Sequence, residues 1–210
     1  MNTPSQVPAS SRRPSPAALF LGLGAAVLMA ACSSTPPPRF HSLLSAVEPV
    51  AVPPLKPLLA WQLMPVTVPA QVDQPQFVVR RSDDTLVVLE QERWIAPLQD
   101  ELRAALVEQL SITLGTPNSN PLPQRKGWRV AVDVSRFDST PGRALLVVQW
   151  SVTATNTAEP VLRCRGQFEQ PVASGMAALA QGHRQAIARL AGVIAPALMS
   201  LDADKATGCS

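Results

Sequence analysis

Thiols and imidazoles are the side chains best able to do chemistry in this chain, which holds three cysteines and two histidines. Cys32 stands directly behind two small residues, Ala30-Ala31, at the end of an apolar run. Cys164 and Cys209 are left over, and two such thiols permit one bridge in an oxidising compartment without requiring it. Cys164 alternates onto the apolar face of a strand, whereas Cys209 is penultimate in a polar tail that is expected to fray. A bond between them requires that tail to reach the core.

His41 and His183 have no acid, thiol or second imidazole at a local spacing. They read as an exposed strand residue and a core-edge helix residue, not as metal ligands or general bases. No nucleophile elbow, glycine-rich phosphate loop, CxxC, HxxxH or acidic calcium loop occurs. Carboxylates such as Asp133 and Glu169 alternate with their strand neighbours as a solvated face does. No catalytic residue, metal ligand or cofactor is expected, and an enzyme is not the expected class.

The surroundings of Cys32 supply its chemistry. Arg12 and Arg13 precede an apolar run from Ala17 that is too short for a permanent membrane span, and Leu28-Met29-Ala30-Ala31-Cys32 closes it. This order resembles the lipobox of bacterial lipoproteins, with Met29 where Leu is usual. The resemblance implies cleavage between Ala31 and Cys32, a diacylglyceryl thioether on the Cys32 sulfur, and acylation of the new amine. Residues 1–31 are therefore a signal peptide, and the only cofactor is the covalent lipid. Ser33 in place of an aspartate implies sorting to the outer membrane by analogy with such lipoproteins.

The formal charge of +3 includes Arg12 and Arg13, so the chain without its leader is nearly neutral. Basic clusters interleaved with aromatics are missing, and nucleic acid is not an expected partner. Length allows one domain plus a tether. Seven prolines lie between Ser33 and Leu58, so residues 32–58 read as a proline-rich tether with an edge strand at 39–44. Fully polyproline-like, it reaches roughly 80 Å at about 3.1 Å per residue.

The elements follow from periodicity. Leu59, Trp61 and Leu63 start a strand broken at Pro65, and apolar runs flanking Ser82-Asp83-Asp84 make a hairpin of residues 77–89. Leu98, Leu102, Leu106, Leu110 and Leu114 stripe one face of a helix over 95–114, with Glu101 off the stripe. Trp128, Val130, Val132 and Val134 open a three-strand meander that turns at Ser139–Gly142 and again at Asn156–Pro160. A second helix spans 174–201, with Pro196 expected to kink it or end its regular part. The expected fold is α+β, a two-layer sandwich with a mainly antiparallel sheet, two amphipathic helices on one face and a small hairpin. The single domain spans 59–201, and residues 202–210 form a disordered tail.

Three segments carry a second resemblance: Arg39-Phe40-His41-Ser42-Leu43, Asp73-Gln74-Pro75-Gln76-Phe77-Val78-Val79-Arg80, and Arg93-Trp94-Ile95-Ala96-Pro97-Leu98. Together with the leucine helix they resemble the PqiC (YmbA) family of lipoproteins, auxiliary components of ABC-type transport systems. His41 stands where that family commonly has Tyr, and Gln74 where it has Arg. The resemblance implies a βαβββα-like domain on the periplasmic face of the outer membrane. It also implies partnership with an MCE-domain protein and an integral membrane subunit that move lipid across the envelope, with a homo-oligomer as one form. A regulatory lipoprotein that activates a peptidoglycan synthase is the alternative. Arg80, Trp94, Arg129 and Arg163 are the candidate partner-binding residues, set against Trp94 as a core aromatic that fixes the entry of the helix and Arg80 as a local partner of Asp83 or Asp84.

Overall fold

The computed structural model describes residues 36–45, 59–119, 122 and 126–209. The signal peptide, with Ala31 and Cys32, and residues 46–58 of the tether lie outside the described residues. From Pro38 onward the described chain forms one compact unit.

Its strands are β1 (Arg39–His41), β2 (Trp61–Leu63), β3 (Gln76–Arg80), β4 (Leu86–Trp94), β5 (Trp128–Thr140), β6 (Arg143–Ala154) and β7 (Leu162–Pro171). The helices are α1 (Leu98–Leu114) and α2 (Met176–Asp202). The fold is α+β, with two mixed sheets ordered β1-β4-β3 and β2-β5-β6-β7. The hairpin and the meander are antiparallel, while β1 on β4 and β2 on β5 are parallel additions that join segments distant in sequence. Parallel pairing needs a long crossover, so local turn chemistry does not announce it.

The inward residues of the meander, Val130, Val132, Val134, Leu146, Val148 and Trp150, are buried, as alternation requires. Leu102 and Leu106 of α1 and Ile187 and Leu190 of α2 converge on Val132, Val134 and Leu146, so both helices meet one face of the four-stranded sheet. Gly115, with φ 66°, ends α1 in the left-handed conformation that glycine adopts without a Cβ penalty.

The structure corrects four expectations. The compact unit begins at Pro38 and not at residue 59, because β1 pairs with β4 and Leu43 enters the core. β5 continues to Thr140 through a bulge between Val134 and Arg136, which shifts the alternation and turns Phe137 inward opposite Leu146. Of the two outcomes expected at Pro196, a kink or an end, the structure overturns the end: α2 runs on to Asp202, and Pro196 lies on its exposed side one turn after exposed Gly192, where the carbonyl freed by the missing N–H faces water. The tail is not loose. Lys126 Nζ donates to the Asp202 carbonyl at 3.0 Å and to Asp204 Oδ1 at 2.7 Å, and Cys209 is bonded to Cys164 with the two Cα atoms 5.4 Å apart. Cys164 lies on edge strand β7, so the tail reaches it from the sheet margin without crossing the core.

Candidate functional site

The segments Arg39–Leu43, Asp73–Arg80 and Arg93–Leu98 meet at one junction. Trp94 N–H donates to the Pro75 carbonyl at 2.8 Å, and Ile95 N–H donates to the His41 carbonyl at 2.9 Å. Their rings continue the junction inward. His41 meets Phe77 edge-on at 5.6 Å, Phe77 stacks on Trp94 at 4.4 Å, Trp94 meets Phe137 edge-on at 6.1 Å, and Phe137 stacks on His183 at 3.8 Å. Such offset and edge-on geometries satisfy the ring quadrupoles. Five rings thus run from the N-terminal strand through the smaller sheet to β5 and α2, with both histidines of the chain at the ends.

The outer end is fixed by charge. Glu92 Oε2 lies 2.6 Å from His41 Nε2, and the Glu92 carboxylate is 3.5 Å from Arg39. His41 therefore has an acid partner 51 residues away, which local spacing did not show, and it is mostly buried.

One turn further on, the carboxylate of Glu101 accepts from Leu43 N–H at 2.7 Å and Ser42 Oγ at 2.8 Å. Arg184 of α2 donates to the Ser42 carbonyl at 3.0 Å. Glu101 is only 3% exposed although it lies off the leucine stripe. A buried carboxylate demands donors, and here an otherwise orphaned backbone N–H is among them. Glu101 is the residue that periodicity misses. Its signal in the sequence is only a carboxylate in the first turn of α1, a place where acids are favoured anyway.

The inner end carries a pair that resembles a nucleophile and its base. Ser139 Oγ and His183 Nε2 are 2.8 Å apart, yet the two residues are 1% and 0% exposed, and His183 Nδ1 has no partner to orient the ring. A substrate has no path to that serine, and the orienting group of a catalytic triad is missing from Nδ1. Burial pushes the His183 imidazole down to about 3, against a smaller opposing influence of Asp138, so the ring is neutral and serves as packing.

Of the four candidate partner-binding residues, the structure commits three to internal contacts. Trp94 is buried in the ring series, which takes it off the surface and leaves the core-aromatic reading of that residue. Arg80 spans Asp138, with Nε–Oδ2 3.3 Å and Nη2–Oδ1 3.2 Å, and also reaches Asp84 Oδ1 at 3.0 Å. The hydrogen bond it donates to Asp138 is the largest cause holding its guanidinium proton, and Arg136 pairs with the same carboxylate. Arg129 Nη2 donates to the carbonyls of Ala154 and Thr157 at 3.2 and 3.1 Å, clamping the β6–β7 turn. Arg163 remains 71% exposed beside Glu159, on the outward face of β7 with Arg165, Gln167 and Glu169.

Among the described residues no group of three metal-ligating side chains gathers, and no helix is long and apolar enough to cross a membrane.

The three segments thus build one buried frame in an α+β domain. The match of residues 41–195 to a family model makes the assignment: the chain belongs to the ABC-type transport auxiliary lipoprotein components. No curated protein matches it closely. Among solved structures it is similar to an uncharacterised protein, at 19% identity over 78% of this chain and 99% of that one, with a TM-score of 0.63. It is also similar to a Xanthomonas campestris protein, at 18% identity over 81% and 98% of the two chains, with a TM-score of 0.57. Both likenesses are to the fold.

Proposed function

We propose that this protein is a lipid-anchored, non-catalytic docking subunit of an MCE-type intermembrane lipid transport system. In this reading the thioether on Cys32 holds it to the periplasmic face of the outer membrane, and one protein surface engages the MCE-domain partner. The observation that carries the reading is the family match over residues 41–195. The apolar leader ending in Ala30-Ala31-Cys32 and the burial of the Ser139–His183 pair support it. With Trp94 buried and Arg80 and Arg129 internally paired, Arg163 and the outward face of β7 become the preferred partner surface.

The docked position of β1 shortens the tether. Cys32 precedes Arg39 by seven residues, which span at most roughly 25 Å however they run. The domain therefore works close to its anchor, not at the end of a long proline-rich reach.

Crosslinking the acylated chain in envelopes and identifying the adducts tests the reading. An MCE-domain protein is the expected adduct, and recovery of a peptidoglycan synthase with no MCE-domain protein overturns it. The Cys32→Ser chain is expected to lose acylation and outer-membrane fractionation. A variant that still fractionates as an acylated protein refutes the anchor.

A further inference from the structure

Two large apolar side chains stand out at the start of the compact unit: Phe40 is 56% exposed and Ile95 is 60% exposed. They share a face. Phe40 pairs in register with Arg93, and the parallel ladder continues as Ile95 N–H donates to the His41 carbonyl. The two-residue alternation of strands then puts Phe40, Arg93 and Ile95 on one side, with His41, Glu92 and Trp94 on the other. The patch is rigid, because Glu101 and Arg184 hold the residues that follow β1. Other exposed apolar side chains, such as Val161 and Met199, lie on separate elements.

We propose that this face rests on the lipid surface that carries the anchor. The inference depends on the Cys32 lipid reading, because the length of chain between them selects the occupant. Arg39 lies seven residue steps beyond Cys32, and their contour of at most roughly 25 Å keeps β1 within reach of the headgroup layer. A protein face held at that distance adds an apolar or basic contact to what the acyl chains supply. Phe40 and Ile95 supply the apolar part. Arg93, on the same side, supplies a cation for anionic headgroups, while Arg39 lies on the other side with its Glu92 partner. The opposite face of the junction is the ring series, so the contact also sets the orientation of the whole compact unit.

The test places a photoreactive benzoylphenylalanine at 40, 95, 161 or 199 in the full chain, reconstituted into phosphatidylethanolamine–phosphatidylglycerol vesicles. All four positions are roughly half exposed or more, so the substitutions leave the core intact. On illumination, positions 40 and 95 are expected to give several-fold more lipid adduct by mass than 161 and 199. Equal yields at the four positions, or adducts at 40 and 95 with protein (a second copy or a partner) in place of lipid, overturn the proposal. Intact mass separates this failure from failure of the anchor. If Cys32 carries no acyl groups, the chain beginning at Cys32 is coupled through that thiol to a maleimide lipid in the same vesicles. The same comparison then reads the patch alone.

Discussion

The proton affinity of His183 gives the sharpest quantitative expectation. Its ring is fully buried between Phe137 and Ser139, and its ionisation lies at about 3 in the folded chain against about 6.5 when exposed. The charged groups near it are Asp138 and, through that carboxylate, Arg80 and Arg136. With the folded value depressed, the unfolded chain binds the extra proton between these two pH values. The contribution to stability is therefore complete above about pH 6.5 and is lost as the pH falls toward 3. By linkage the loss is about 2 kcal/mol at pH 5 and approaches about 5 kcal/mol at the acid end. Urea unfolding, followed by tryptophan fluorescence at pH 7.5 and pH 5.0, measures it in the native chain and in His183→Gln. The variant is less stable at pH 7.5 because it disturbs the stack, but it lacks the titrating ring. Its deficit should shrink by about 2 kcal/mol on going to pH 5. A deficit that stays constant between the two pH values refutes the reasoning, for it means that His183 is protonated in the fold as readily as outside it.

Glu101→Ala leaves Leu43 N–H buried without an acceptor and should cost roughly 1–3 kcal/mol, with faster amide exchange at Leu43 by hydrogen-exchange mass spectrometry. Cys209→Ser removes a bond that spans 45 residues, and loop entropy sets the expected loss at up to about 4 kcal/mol in thermal or urea unfolding. The same variant should render Cys164 alkylable, whereas the native chain under non-reducing conditions should show neither thiol. Gly182→Ala drives a Cβ against Val172 Cγ1 and within 3.0 Å of Ala144 Cβ where α2 crosses the sheet, an overpacking expected to cost about 1–3 kcal/mol in midpoint shifts.

Where the physics is local, the amino-acid order alone was sufficient. The four-residue leucine step specified the buried stripe of α1, and the alternation from Trp128 to Val134 specified the inward face of β5. Pro141-Gly142, with Gly142 at φ 82°, turned the chain as its composition demands. The three family segments were likewise legible as patterns in one dimension.

Tertiary structure decided whatever depends on a partner far along the chain. Periodicity cannot register that Glu92 will stand beside His41, or that Glu101 will receive the backbone donor of Leu43, 58 residues earlier and just past β1. A one-residue bulge in β5 resets every later face assignment, and so Phe137 and Ser139 came to meet His183 only in three dimensions. Cys164 and Cys209 pair because the fold returns the end of the chain to an edge strand. The sequence by itself determined the elements, the family and the buried faces outside the stretch of β5 beyond its bulge. Only the fold determined which polar groups face one another across it, because long-range register is set by packing, and the composition of either partner does not encode it.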